Sequence, residues 1–140
     1  DVDDFKFIND RFGHSVGDEV IKYVAGCIKQ RVKGSGFAGR FGGDEFVLCI
    51  TDPKQIEEIE SLSLDLIDEL YEGYHSELAN VSINVKASIG IAFYPEHGDD
   101  SNKVVAAADE AMYFVKKNGK ANYHIYQPED SEMEDLQHTL

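Results

Sequence analysis

Arg40-Phe41-Gly42-Gly43-Asp44-Glu45-Phe46 lies between an alternating apolar run (Phe37, Gly39, Phe41) and a continuous one (Phe46, Val47, Leu48, Cys49, Ile50). An apolar run, a Gly-rich break and a second apolar run read as a β-hairpin. Gly42 and Gly43 can take backbone angles that a Cβ forbids, and they leave bare main chain for a ligand to approach. Asp44 and Glu45 are adjacent acids at the bend. Taken alone, such a quartet reads first as a solvated turn. The amino-terminal stretch changes that reading.

That stretch is Asp1-Val2-Asp3-Asp4-Phe5-Lys6-Phe7-Ile8-Asn9-Asp10, followed by Phe12-Gly13-His14 and Val16-Gly17-Asp18-Glu19. Together with Gly42-Gly43-Asp44-Glu45-Phe46, these residues resemble the GGDEF domain of diguanylate cyclases. Ala87-Ser88-Ile89-Gly90-Ile91-Ala92 resembles the family's late strand. Ala108-Asp109-Glu110-Ala111-Met112-Tyr113, with Lys116 and Gly119-Lys120, resembles its last helix and exit. The resemblance covers about residues 1 to 126, in the family's order and at its spacing. Each motif is weak alone; in register they are specific.

A chain of 140 residues suits one domain with a real core and is too short for two. Hydrophobic residues make up 42%, as in an ordinary globular protein. No apolar run approaches the ~20 residues that cross a bilayer. The expectation is a cytoplasmic domain, or the cytoplasmic part of a membrane-anchored protein, that makes no direct membrane contact itself. Cys27 falls on a helical apolar face and Cys49 in a strand-like run, so both read as reduced core residues. The formal charge is −14, of which −5 falls on residues 128–140 and −9 on the rest. A field of that sign disfavours binding to a nucleic-acid backbone. An anionic nucleotide can still bind where divalent metal and local cations reverse the sign.

In chain order, Phe5, Ile8 and Phe12 predict a helix over 4–12, ended by Gly13. Ser15 and Asp18 resemble a capping box, and Val16, Val20, Ile21, Val24, Ile28 and Val32 form a stripe of helical period. The hairpin spans residues 37–50. Asp52-Pro53 reads as the start of a helix that runs to about residue 74. Residues 81–94 read as one long strand or two short ones. Ser101 is the expected cap of a helix stopped by Gly119, and residues 122–126 close with a strand. The acidic segment after Pro128 reads as a mobile tail or linker.

Helices and strands in this order suggest α+β, a sheet covered by helices. The resemblance implies a palm-like, nucleotidyl-cyclase-like βαββαβ antiparallel sheet over residues 1–127, with 128–140 as an acidic tail. It also implies an apolar strand running into Asp1 and a helix before it. Neither is in the sequence, so the expectation is a piece of a longer polypeptide.

The implied activity is condensation of two GTP into cyclic di-GMP with loss of two pyrophosphates. Mg²⁺ or Mn²⁺ would be held by Asp1, the Val2 carbonyl, Asp44 and Glu45, since such hard cations take oxygen ligands. Asp44 is the favoured helper for deprotonating the attacking hydroxyl, with Glu45 beside it, and Arg40 would steady the transferring phosphate. Asn9 and Asp18 would read guanine, with His14 near the pocket and Gly43 against the nucleotide. Main-chain N–H groups around Asp4 and Phe5, with Lys6, would hold the terminal phosphates as a helix amino terminus does. Lys116 and Lys120 would add positive charge. One site holds one GTP, so a second GGDEF domain, as in a homodimer, is the implied partner. A phosphodiesterase or sensor domain in the same polypeptide is a further implied neighbour.

Two departures stand out. Gly119-Lys120-Ala121 replaces the family's usual Gly-Arg-Asn, which keeps charge but loses bidentate geometry. The family's product-inhibitory Arg-x-x-Asp is Lys33-Gly34-Ser35-Gly36 here, which predicts no product feedback through that window. The alternative function is a GTP-binding regulatory module with weak or no turnover, next to a cyclic di-GMP phosphodiesterase domain. An EF-hand reading of Asp1-x-Asp3 fails, because Phe5, Lys6 and Phe12 stand at three of its ligand or turn positions. Gly34-x-Gly36-x-x-Gly39 spells a dinucleotide motif in the wrong context, after a helix and into a hairpin.

Overall fold

The elements run α1 (Phe5–Phe12), α2 (His14–Val32), β1 (Gly36–Gly42), β2 (Glu45–Ile50), α3 (Ile56–Glu72), β3 (Tyr74–Ser76), β4 (Val81–Ile83), β5 (Ile89–Ile91), α4 (Ser101–Lys117) and β6 (Tyr123–Ile125). The computed structural model describes residues 1–130, which fall into two units, one of Asp1–Ala87 and one from Ser88 onward.

In the first unit α2 is the hub, packing against α1, α3, β1, β2 and β3. Its apolar stripe behaves as the period requires: Val16, Val20, Ile21, Val24, Cys27, Ile28 and Val32 are all buried. Leu66, Ile67 and Leu70 on α3 are buried too, as are Val2, Ile83 and Val85. Burying one such side chain contributes about 1.5–3 kcal/mol, so this shared core dominates the unit's stability. Arg31 near the carboxyl end of α2 adds an ion pair to Glu69 Oε2 at 2.5 Å.

The hairpin forms as the Gly-rich break predicts. β1 and β2 pair antiparallel, Gly36 opposite Ile50 and Gly42 opposite Glu45, with a register shift between Arg40 and Gly42. Gly43 opens the two-residue loop at φ 53°, a left-handed value at the position where such turns demand glycine. A second, unforeseen hairpin pairs β3 with β4. The expected helix to residue 74 stops earlier because Gly73 takes φ 106° and hands the chain to β3.

Other boundaries shift for local reasons. Asp52 sits at φ 51°, which is not a capping geometry, so the helix starts at Ile56 with Gln55 as its cap. Ser15 does not cap α2, since only Gly13 separates α1 from α2 and no side-chain cap forms. Asp100, not Ser101, caps α4, its side chain accepting from the Lys103 N–H at 2.9 Å. The apolar run over 81–94 resolves into two strands; between them the Val85 N–H donates to the Leu70 carbonyl at 3.1 Å.

In the second unit β5 and β6 are parallel, because α4 carries the chain back between them. The antiparallel expectation therefore holds for the two hairpins and not for this pair. Ala107, Ala111 and Val115 bury one face of α4. Gly90 on β5 lies so near that helix that a Cβ there would be 1.9 Å from the Ala108 carbonyl oxygen. Beyond β6, Asp130 is buried and sits 3.1 Å from His124 Nε2, while the Gln127 N–H donates to its carboxylate. The start of the acidic segment is thus pinned onto β6. The rest of the expected tail lies outside the described residues.

Candidate nucleotide and metal site

The opening residues meet the hairpin loop through the backbone. The Val2 N–H donates to the Asp44 carbonyl at 3.1 Å, and the Asp3 N–H donates to the Lys86 carbonyl at 2.8 Å. Val2 also bridges antiparallel to Ala87 and is 2% exposed. Asp3 is buried. Three segments far apart in sequence thus converge at Val2.

Around that point stand the acids of the sequence expectation. Asp1 is half-buried with its Oδ1 enclosed, and Asp44 and Glu45 are half-buried. Their oxygens are of the kind a hard divalent cation takes. Among the described residues, however, no three His, Cys, Asp or Glu side chains stand close enough together to hold an ion. The backbone brings Asp44 to the opening segment. The carboxylates would still have to turn inward around a cation.

Arg40 is engaged by its own turn. Its Nε and Nη2 donate to the Gly43 carbonyl at 2.8 and 2.5 Å, holding the exposed loop closed. Reaching a phosphate would require giving up those bonds. Gly43 itself is exposed, with nothing within 4 Å of where a Cβ would be, so a ligand can lie flat against it.

At the head of α1, Asp4 adopts left-handed angles (φ 56°, ψ 31°), and its carbonyl accepts from the Phe7 and Ile8 N–H groups. The first-turn N–H groups of such a helix have no helical partner and favour an anion. Phe5 is half-buried and Lys6 exposed beside them. One and two turns on, Asn9 is half-buried against α2, and Asp18 is exposed on the first turns of that helix. His14 is the exposed first residue of α2. Lys116 and Lys120 belong to the second unit, at the end of α4 and just past it, Lys120 at φ 62°.

Sequence reading passed over one buried polar link. Ser76 is fully buried, its hydroxyl donating to Glu19 Oε2 at 2.7 Å and accepting from the Ala79 N–H at 3.2 Å. Burial, and then the Glu19 carboxylate, push the Tyr74 phenol up. This link ties the residue beside Asp18 to the second hairpin. A three-residue strand gives no periodicity from which it could be read.

A cleft of about 480 Å³ opens elsewhere, lined by Arg31, Gln55, Glu57, Glu58, Leu62 and Asp65 among others. It shares no residue with the expected site, and its acids would repel a triphosphate.

Residues 1–122 match the family model of the diguanylate cyclase GGDEF domain. The chain belongs to the GGDEF domain family. It is 34% identical over 127 residues, 91% of its length, to the bifunctional diguanylate cyclase/cyclic di-GMP phosphodiesterase MucR of Pseudomonas aeruginosa. It is 32% identical over 129 residues, 92% of its length, to the cyclic di-GMP phosphodiesterase PdeR of Escherichia coli. These matches span 18% and 19% of the two relatives, so the chain corresponds to a small part of each. The solved GGDEF domain of YfiN (TpbB) from Pseudomonas aeruginosa superimposes with a TM-score of 0.91 at 29% identity, covering 96% of this chain and 78% of that one. The fold is therefore the cyclase-like palm fold of GGDEF domains, and the family ties the chain to cyclic di-GMP signalling. Among the described residues, no helix is long and apolar enough to cross a membrane.

Proposed function

We propose that this GGDEF domain is a diguanylate cyclase half-site, condensing two GTP into cyclic di-GMP when two copies of the domain face each other. The observation that carries the reading is the Val2 N–H bond to the Asp44 carbonyl, which sets the opening aspartate segment against the acidic loop. In the reaction the ribose 3′ oxygen of one GTP attacks the α-phosphorus of the other. A P–O bond to pyrophosphate breaks as the new P–O bond forms, and the hydroxyl proton must leave. The Asp44 carboxylate is the group proposed to take it, with Glu45 beside it. A second round in the opposite sense closes the ring and releases the second pyrophosphate.

The chain's other residues bind and orient. N–H groups of Phe5 and Lys6 at the head of α1, with the Lys6 ammonium, hold the terminal phosphates. Asn9 offers guanine both a donor and an acceptor, and Asp18 accepts from its N–H groups. Gly43 lets the nucleotide lie against bare main chain. Arg40 exchanges its Gly43 carbonyl for the transferring phosphate. Asp1, the Val2 carbonyl, Asp44 and Glu45 would hold Mg²⁺ or Mn²⁺, which when bound would neutralise triphosphate charge and ease deprotonation of the hydroxyl.

The likeness to a relative named only as a phosphodiesterase favours a second reading, a GTP-binding module without turnover beside such a domain. Lys120-Ala121, in place of the family's usual Arg-Asn, points the same way. One experiment separates the two: the protein with GTP and Mg²⁺, products resolved by chromatography, beside Asp44→Asn and Glu45→Gln. Cyclic di-GMP from the wild type, lost by at least a hundredfold in the variants, supports the cyclase. GTP binding without product supports the module.

A further inference from the structure

Gly17 is buried in the second turn of α2, where the backbone places no demand for glycine: its φ is not in the left-handed region, and the residue lies within an ordinary helix. Glycine inside a helix is less stable than alanine, which raises the question of what occupies the space a side chain would take. A Cβ at Gly17 would lie 1.8 Å from Asn9 Oδ1, 3.0 Å from Asn9 Cγ and 3.4 Å from Phe5 Cζ. The void at Gly17 is therefore filled by the Asn9 carboxamide, reaching across from α1. Asp18 is the next residue along the helix.

We infer that Gly17 is a positioning residue for base recognition: its missing side chain lets the Asn9 amide lie on α2 next to Asp18, so that two groups from different helices read one base edge. The inference rests on the proposed reading of Asn9 and Asp18 as guanine ligands. The two helices meet at a one-residue connection, and the Gly17 N–H donates to the Gly13 carbonyl at 3.1 Å, which fixes the main chain under the amide. With a methyl group at position 17 the main chain stays where it is. The atom in the way is the far end of a side chain with two torsions, so the carboxamide rotates off the helix instead of the helices separating. The pair that reads guanine is then split, while the fold gains helix propensity.

That combination, weaker base recognition in a protein that is no less stable, is what a merely structural glycine would not give. The test is calorimetric titration of the protein with GTP and with ATP in Mg²⁺, alongside thermal melts, for the wild type, Gly17→Ala, Asn9→Ala and Asn9→Ala/Gly17→Ala. The expected result is a Gly17→Ala protein whose Tm is unchanged or higher. Its GTP affinity falls about tenfold, roughly the loss of one good hydrogen bond, while ATP affinity does not change. In the Asn9→Ala background, where no amide is left to displace, Gly17→Ala has no further effect on GTP. Unchanged GTP affinity in Gly17→Ala overturns the inference. So does an equal loss for ATP, a Tm lower by more than a few degrees, or the same loss in the Asn9→Ala background. A wild type that does not prefer GTP over ATP overturns the guanine reading and this inference with it, whereas the variant outcomes overturn the role of Gly17 alone.

Discussion

Replacing Ser76 with alanine should destabilise the first unit far more than the loss of one oxygen atom suggests. Ser76 is fully buried, and its hydroxyl makes two hydrogen bonds, donating to Glu19 Oε2 at 2.7 Å and accepting from the Ala79 N–H at 3.2 Å. A hydrogen bond to a charged group contributes about 1.5–3 kcal/mol, and a buried N–H left without its partner costs about 1–3 kcal/mol more. Allowing water to reach Glu19 in part, the sum is about 2–4 kcal/mol. For a domain of this size that corresponds to a Tm lower by about 8–16 °C. Urea denaturation of the wild type and Ser76→Ala measures it directly, and an unchanged m-value would show that the surface exposed on unfolding is the same in both. Glu19→Gln keeps an acceptor and loses only the charge, so its effect should be near 1 kcal/mol. The double variant should cost less than the two single ones together, because both break the same bond. A Ser76→Ala protein within 0.5 kcal/mol of wild type would refute the reasoning.

Leu70→Ala should cost about 2–5 kcal/mol in the same assay, since Leu70 is 1% exposed in the core shared by α2 and α3. Iodoacetamide should modify exposed Cys49 quickly and buried Cys27 only on unfolding, read as one rapid mass addition in the native protein. Burial, and then hydrogen bonding to Glu69, push the Cys27 thiol from 9.0 to about 11, and burial with its Cys27 neighbour pushes Tyr23 from 10.0 to about 12. Both folded values are raised, so their contribution to stability is complete below pH 9 and disappears as pH climbs through about 11 and 12. Melts between pH 8 and 12 should show that decline, and Cys27→Ala should start it later.

The features legible in the sequence are those with a local cause. Gly-Gly between apolar runs marked the hairpin because glycine takes the left-handed angle at position 43 without the cost a side chain adds. The stripe on α2 was readable because a long amphipathic helix repeats its signal many times. What escaped were arrangements set by a partner distant in sequence. Cys49 looked like a core residue within an apolar strand, yet it faces outward, because the hairpin buries no side of itself fully. The second hairpin escaped because its strands have three residues each, too few for alternation to show. At the site, family resemblance placed Asp1, Asp44 and Glu45 together, and the backbone does bring the opening segment to the loop. Side-chain direction is another matter, since Arg40 spends its guanidinium on the Gly43 carbonyl and the acids do not form a ready-made cage.

The anchoring of residues 2 and 3 has a mechanical meaning. With Val2 fastened to Asp44 on one side and Asp3 to Lys86 on the other, the first peptide units act as a tie-rod between two loops. A pull or twist delivered at Asp1 is not absorbed by slack chain. It travels through one hydrogen bond into the acidic bend, so leverage applied at Asp1 is felt first where the carboxylates stand.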